Sequence, residues 1–199
     1  ALYPYDNTLR AVRISGRQLR SYLEQSARYY RPFTPGAPVV NDSVPGFNFD
    51  IVAGADYTLD VSRPIGSRVT RLEVGGRPVA PDDSFTFALN NYRQTGGGGY
   101  AMLAGAPLLD DHQLEIRQLL IDEVRKRGVL RPEDFFHKNW TLEPAAAGAQ
   151  AYAEMNRGEY GSRRSAARTA QPARTALLGP RLRIITTNDF HGALEPRPD

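Results

Sequence analysis

The sequence predicts an α+β fold over residues 1–145. Three observations carry the prediction. Several short segments alternate apolar and polar residues, or concentrate β-branched and aromatic ones, as half-buried strands do. Two longer segments switch to helical spacing. After residue 145 the large apolar residues thin out, so the packed part is expected to end there.

The elements follow in order. TLRAVRIS reads as a strand, with Leu9, Val12 and Ile14 apolar. SGRQLRSYLEQSARYY changes period: Leu19, Tyr22, Leu23, Ser26, Ala27 and Tyr30 share one helical face, and Ser15 stands at the N-cap position. Residues 31–46, rich in Pro and Gly, read as a long loop. DYTLDVS, RVTRLEV and SFTFALN read as strands, with Gly75-Gly76 as a tight turn after the second. NNYRQTGGGGY then forms a glycine loop at a strand end. DDHQLEIRQLLIDEVRKRG predicts a helix with Asp110 and Asp111 at its start, Arg125 to Arg127 at its end and Gly128 closing it. NWTLEP reads as a short last strand. The run rich in Ala, Arg and Gly over 146–180 reads as a disordered linker, with isolated helical turns around Tyr152–Met155. Residues 181–199 turn strand-like again and read as the start of another unit.

Composition narrows the function classes. Among 199 residues the net charge is only +3, which gives polymeric nucleic acid no support as a partner. Cysteine is absent, so disulfides and thiolate metal sites are excluded. No apolar run is long enough to span a membrane. The first residue is Ala and no signal peptide is visible, as expected of a processed protein or an excised fragment.

Gly96 to Gly99 lie between Tyr92 and Tyr100. Such a loop admits positive φ and lets backbone approach a ligand closely, although a flexible turn has the same composition. No Lys-Ser or Lys-Thr follows, so it is not a phosphate-binding Walker loop. Asn90, Asn91 and Tyr92 precede it, and an exposed tyrosine beside amides and open backbone suits a flat heteroaromatic ring. Tyr3 and Tyr5 in LYPYDNTL, or Phe47 and Phe49 in PGFNFD, are candidates for a second ring; core packing is the plain alternative for each. His112 and His137 lack partners at metal-ligand spacing, and no Gly-x-Ser-x-Gly elbow occurs, so residues 1–145 read as binding rather than catalysing.

LYPYDNTLRAVRISGRQLRSYLEQSARYY, FNFDIVAGADYTLDVSRPIGSRV and FALNNYRQTGGGGY together resemble the C-terminal domain of the 5'-nucleotidase family, in its branch of 2',3'-cyclic-nucleotide 2'-phosphodiesterase/3'-nucleotidases. The resemblance implies an αββα-type domain that holds the nucleoside of a nucleotide, while a separate metallophosphatase domain with two metal ions performs hydrolysis. It implies that Tyr92 stacks on the base, and that Tyr5 is the second ring, whereas in the 5'-nucleotidase branch that ring lies near Phe47 or Phe49. Asn91, Gly96 and Gly97 would line the same site. Many relatives carry Asp in this loop to meet the ribose; here that position is Gly98.

LRIITTNDFHG is similar to the first strand and first metal motif of a calcineurin-like metallophosphatase domain, which implies Asp189 and His191 as ligands. Residues two apart on an extended segment point the same way, and carboxylate plus imidazole suits Mn, Zn or Fe. The order of domain (1–145), linker (146–180) and truncated second domain (181–199) resembles tandem bifunctional bacterial phosphoesterases. Upstream and downstream metallophosphatase domains, and an extracytoplasmic location, are what that likeness implies. A non-catalytic ligand-binding module and a UDP-sugar hydrolase or simple 5'-nucleotidase remain as alternatives.

Overall fold

In a computed structural model, which describes Tyr3 and residues 5–156, strand β1 (Leu9–Ser15) runs directly into helix α1 (Gly16–Ala27). Ser15 serves both elements. Its Oγ accepts the Gln18 N–H at 3.2 Å, and Gln18 Oε1 accepts the Ser15 N–H at 2.8 Å, a reciprocal capping box that fixes where the helix begins. The helical stripe expected from spacing is the stripe that is buried: Leu19, Tyr22, Leu23, Ser26 and Ala27 face inward, and Tyr30 beyond the helix joins them. Burying each large member contributes about 1.5–3 kcal/mol.

Strands β2 (Asp56–Asp60), β3 (Val69–Val74) and β4 (Arg77–Pro78) form an antiparallel run, and Gly75 and Gly76, at φ 57° and 73°, make the tight turn between the last two. Strand β5 (Ser84–Asn90) pairs along the whole length of β1, from Leu9–Asn90 to Ser15–Ser84. The one-turn helix α2 (Asn91–Gln94) follows it at once. Strand β6 (Leu108–Asp110) lines the other side of β1, giving the three-stranded order β5-β1-β6. Helix α3 (Ile116–Arg127) comes next, and β7 (Trp140–Glu143) then adds to the first sheet parallel to β2, in the order β4-β3-β2-β7. The result is the mixed helix-and-sheet class predicted, with two open sheets.

One hydrophobic core joins the sheets. Val12 and Ile14 from β1, Leu19 and Leu23 from α1, and Tyr57, Leu59, Val69 and Leu72 from β2 and β3 all belong to it. Helix α1 contacts β1 and β3, one strand from each sheet.

The loop over 31–46 is irregular as expected, with Val39 and Val40 buried and Tyr30 bridging to Val40. Two stretches differ from expectation. The helix expected from Asp110 begins only at Ile116, because Leu108–Asp110 is drawn into the sheet beside β1 and Gln113 has φ 55°, outside the helical range. Its basic end and Gly128 stop are as expected. Finally, the linker was expected to start at 146, yet Ala145–Asn156 is a helix, α4, with Ala147, Ala151 and Glu154 buried. The Glu154 carboxylate accepts the Val39 N–H at 2.9 Å and the Val40 N–H at 2.9 Å. Alanines at i and i+4 let the helix come close without large side chains, so the packed region reaches Asn156 among the described residues. The rest of the expected linker and the strand expected over 181–199 lie outside the described residues.

Candidate functional site

The end of β5 delivers the site. Asn90 caps α2 by accepting the Arg93 N–H at 2.7 Å. That single turn sends adjacent side chains in opposite directions. Tyr92 points out and is 46% exposed, whereas Arg93 is 4% exposed. Asn91 ties the turn to the start of β1: its Oδ1 accepts the Thr8 N–H at 3.2 Å, and its own N–H donates to the Thr8 carbonyl at 3.0 Å.

The glycine loop is pressed onto side chains beneath it. Gly96 turns the chain at φ 91°. A Cβ on Gly97 would lie 2.5 Å from the Tyr92 ring, so one side of that ring rests against the Gly97 backbone. A Cβ on Gly98 would lie 2.3 Å from Arg93 Nη1 and 2.4 Å from Asn48 Oδ1; on Gly99 it would lie 2.5 Å from Gln25 Nε2. The loop is therefore glycine-rich for close approach as much as for turning. A side chain at position 98, at φ 72°, would have to displace the ends of Arg93 and Asn48. Gly97→Ala is expected to push the Tyr92 ring off its seat. Tyrosine fluorescence should report the moved ring, and a change of Tm under about 4 °C would separate displacement from unfolding.

Arg93 organises the interior. It donates Nε to Asp50 Oδ2 at 2.6 Å and Nη2 to Asp50 Oδ1 at 2.9 Å, a bidentate pair. Nη2 also donates to the Phe47 carbonyl at 2.5 Å, and Nη1 to the Gly97 carbonyl at 3.1 Å and Asn48 Oδ1 at 3.3 Å. The Tyr22 hydroxyl donates to Asp50 Oδ2 at 2.5 Å, and Tyr100 donates to the Asn48 carbonyl at 2.8 Å. Burial works against the Arg93 charge, but hydrogen bonding and charge from Asp50 outweigh it and hold the guanidinium pKa above its usual value. Burial first, then the Asp50 charge, pushes the Tyr22 hydroxyl far upward, so it stays a proton donor.

These ties place the predicted aromatics. Phe47 sits in the 3-10 turn Gly46–Asn48 and is 45% exposed. Phe49, two residues on, is buried against Tyr29, Tyr30 and Trp140. Phe49 is thus a core residue, and the sequence-based candidacy for ligand contact is corrected to Phe47 alone of that pair. Tyr5 is 48% exposed, with its ring edge-on to Tyr3 at 5.8 Å. Its backbone is held from α3, where Arg117 donates Nε to the Tyr3 carbonyl at 2.8 Å and Nη2 to the Tyr5 carbonyl at 3.0 Å and to Asp6 at 2.8 Å.

Three exposed rings, Tyr5, Phe47 and Tyr92, therefore stand on three segments linked by hydrogen bonds. Asn91 and Thr8 join the first and third, and Arg93 joins the second and third. This arrangement offers aromatic faces, amides and open backbone, which is chemistry for gripping a planar ring. A separate open cavity of about 560 Å³ beside β2 and β7 is lined by Asp60, Ser62, Thr141 and Glu143 and includes none of the rings. Among the described residues no group of three or more His, Asp or Glu is placed to hold a metal, and Asp189 and His191 lie outside them. Sequence reasoning missed Arg93, Asp50, Asn48 and Gln25. The signal was available in part, because NNYR and FNFD each carry a charged residue beside the aromatic that drew notice.

Residues 1–105 match the model of the 5'-nucleotidase C-terminal domain. The chain is 29% identical over 161 residues to the trifunctional nucleotide phosphoesterase protein YfkN of Bacillus subtilis, covering 73% of this chain and 11% of that protein. It is 31% identical over 164 residues to the 2',3'-cyclic-nucleotide 2'-phosphodiesterase/3'-nucleotidase of Haemophilus influenzae, covering 72% of this chain and 24% of the relative. A solved Staphylococcus aureus structure described as a 5'-nucleotidase superposes with a TM-score of 0.62 at 34% identity, covering 70% of this chain and 28% of that one. The chain thus spans only 11% to 24% of the length of these two sequence relatives.

Proposed function

The chain belongs to the 5'-nucleotidase C-terminal domain family, and on that premise we propose that it is the nucleoside-binding domain of a nucleotide phosphoesterase acting on 2',3'-cyclic, 3'- or 5'-nucleotides. The observation that carries the proposal is the exposed Tyr92 ring seated on the glycine loop, with the exposed Phe47 turn tied to the same loop through Arg93 and Tyr5 exposed on the segment before β1. Tyr92 is the main stacking face, seated on Gly97. Tyr5 supplies the second wall, as the family wording YPYDNT implies, and Phe47 flanks the same loop through its tie to Arg93. Asn91, with its Oδ1 engaged by Thr8, leaves its amide N–H groups for the edge of the base, and the Gly96-Gly97 backbone lies beside them.

Hydrolysis itself we assign to a separate metallophosphatase domain of a longer protein, where two divalent ions would activate water and hold the phosphoryl oxygens. The described residues bring no ligand set for such ions. Asp189 and His191 are proposed as the first ligands of a second domain of that kind, and the parent as an extracytoplasmic enzyme of nucleotide catabolism. The second reading is a binding module without catalytic partner.

The test is a substrate panel on the full-length parent together with calorimetry on this chain. The chain should bind adenosine and ignore ribose 5-phosphate. The parent should hydrolyse cyclic, 3'- or 5'-nucleotides, with UDP-sugars included to separate a UDP-sugar hydrolase. No adenosine binding would reject the nucleoside site. Binding without hydrolysis of any panel member would leave the module reading in its place.

A further inference from the structure

We infer that Arg93 is a positioning residue for base recognition, the group that sets the gap between the Tyr92 ring and the Phe47 turn. The inference rests on the nucleoside site proposed above and concerns how that site keeps its shape.

The guanidinium is saturated by the protein. Its five N–H donors go to five acceptors: Nε to Asp50 Oδ2, Nη1 to Gly97 O and Asn48 Oδ1, and Nη2 to Phe47 O and Asp50 Oδ1. No donor is left for a ligand, so Arg93 acts through geometry rather than through contact. The two carbonyls it spans are the ones that matter. Phe47 carries one exposed ring, and Gly97 is the seat of the other. A guanidinium is a rigid planar fork, so the separation of these carbonyls is set by its own dimensions. Asp50 fixes the plane of the fork from behind, and the Tyr100 ring lies against it with the guanidinium carbon 4.5 Å from its centroid. At 4% exposure the Arg93 guanidinium is shielded from salt and solvent.

A nucleobase stacked on Tyr92 needs the flanking Phe47 turn held at a fixed distance from that ring, and a site whose flank is held in place in advance costs less ordering on binding. A lysine in place of Arg93 keeps the charge against Asp50 but offers three donors from one point, which cannot bridge Phe47, Gly97 and both Asp50 oxygens together.

The experiment compares Arg93→Lys with Arg68→Lys, a change at a second buried arginine that touches none of the three rings, in the 199-residue chain. Adenosine affinity and the urea midpoint are measured for both. Arg93→Lys should weaken adenosine binding at least about 10-fold, whereas Arg68→Lys should lower the urea midpoint and leave affinity within about twofold. The double variant Arg93→Gln/Asp50→Asn, which strands no buried charge, guards against a failure of Arg93→Lys to fold and should weaken binding likewise. Wild-type affinity in a folded Arg93 variant, or equal loss in Arg68→Lys, overturns the positioning role. Tyr92→Ala in the same series keeps the two questions apart. If it abolishes binding while Arg93→Lys does not, the nucleoside site stands and the positioning role falls; if wild-type protein binds no adenosine, both fall.

Discussion

Tyr92→Ala in the parent enzyme is expected to raise KM for its nucleotide substrates by about 5- to 150-fold, leave kcat within a few-fold, and leave hydrolysis of ribose 5-phosphate unchanged. The magnitude follows from base–aromatic stacking, worth about 1–3 kcal/mol per base. The split between KM and kcat follows from where the interaction lies. Stacking on the base is the same in the ground state and the transition state of a distant phosphoester, so its loss weakens binding uniformly. Stability is not the route of the effect, because the Tyr92 ring is 46% exposed and its removal opens no cavity in the core. The base-free substrate is the decisive arm: an equal loss on ribose 5-phosphate would mean that Tyr92 acts on the chemistry or on the fold, and the stacking role would be abandoned.

Which parts of this site could be read from the sequence depends on how local their physics is. Helix α1 was legible because a capping pair three residues apart and a stripe of apolar residues are both short-range features. Tyr5 and Tyr92 were legible as candidates because each stands in a polar or turn-forming stretch, YPYDNT and NNYR, outside the apolar strand and helix patterns. Phe47 and Phe49 were not separable. They stand two apart in the same motif, and only the 3-10 turn that holds the first and the extended backbone of the second send one outward and the other into the core. Arg93 was illegible for a stronger reason. Its burial depends on Asp50, 43 residues earlier, and an arginine in a polar loop otherwise reads as solvated. Helix α4 was hidden by its own packing, since Ala147 and Ala151 bury little area each and leave the composition looking like a linker. The late start of α3 is a tertiary effect: Asp110 is taken into the strand pairing with β1, and Asp111 into an ion pair with Arg10 of β1 at 3.0 Å.

The same long-range logic gives the largest expected loss of stability, at Arg68. This residue precedes β3 and is fully buried, and its Nη1 donates to the carbonyls of Ala27 at 2.7 Å and Tyr30 at 2.6 Å, while Nε reaches Arg63 O at 3.2 Å. Those first two carbonyls belong to the end of α1 and the turn after it, where no i+4 partner remains. The last turn of α1 has no basic residue of its own, so Arg68 supplies from another strand both the donors and the positive charge that a helix C-terminus favours. Burial depresses the Arg68 pKa, and Glu24 and Asp60 oppose that shift. Arg68→Ala removes the donors, leaves the Ala27 carbonyl with the Tyr30 N–H at 3.1 Å in place of the charged donor, and opens a void in the interior, which together are expected to cost about 3–5 kcal/mol. Tm should fall by roughly 10 °C for a domain of this size. Arg68→Met tests which component dominates. It fills much of the void and buries no charge, so if packing were the main term it would recover most of the loss. Because methionine restores neither the donors nor the positive charge at the end of α1, recovery of less than half is expected in urea unfolding. A loss below about 1 kcal/mol for Arg68→Ala would show that the end of α1 finds other donors and that the cross-strand cap is dispensable.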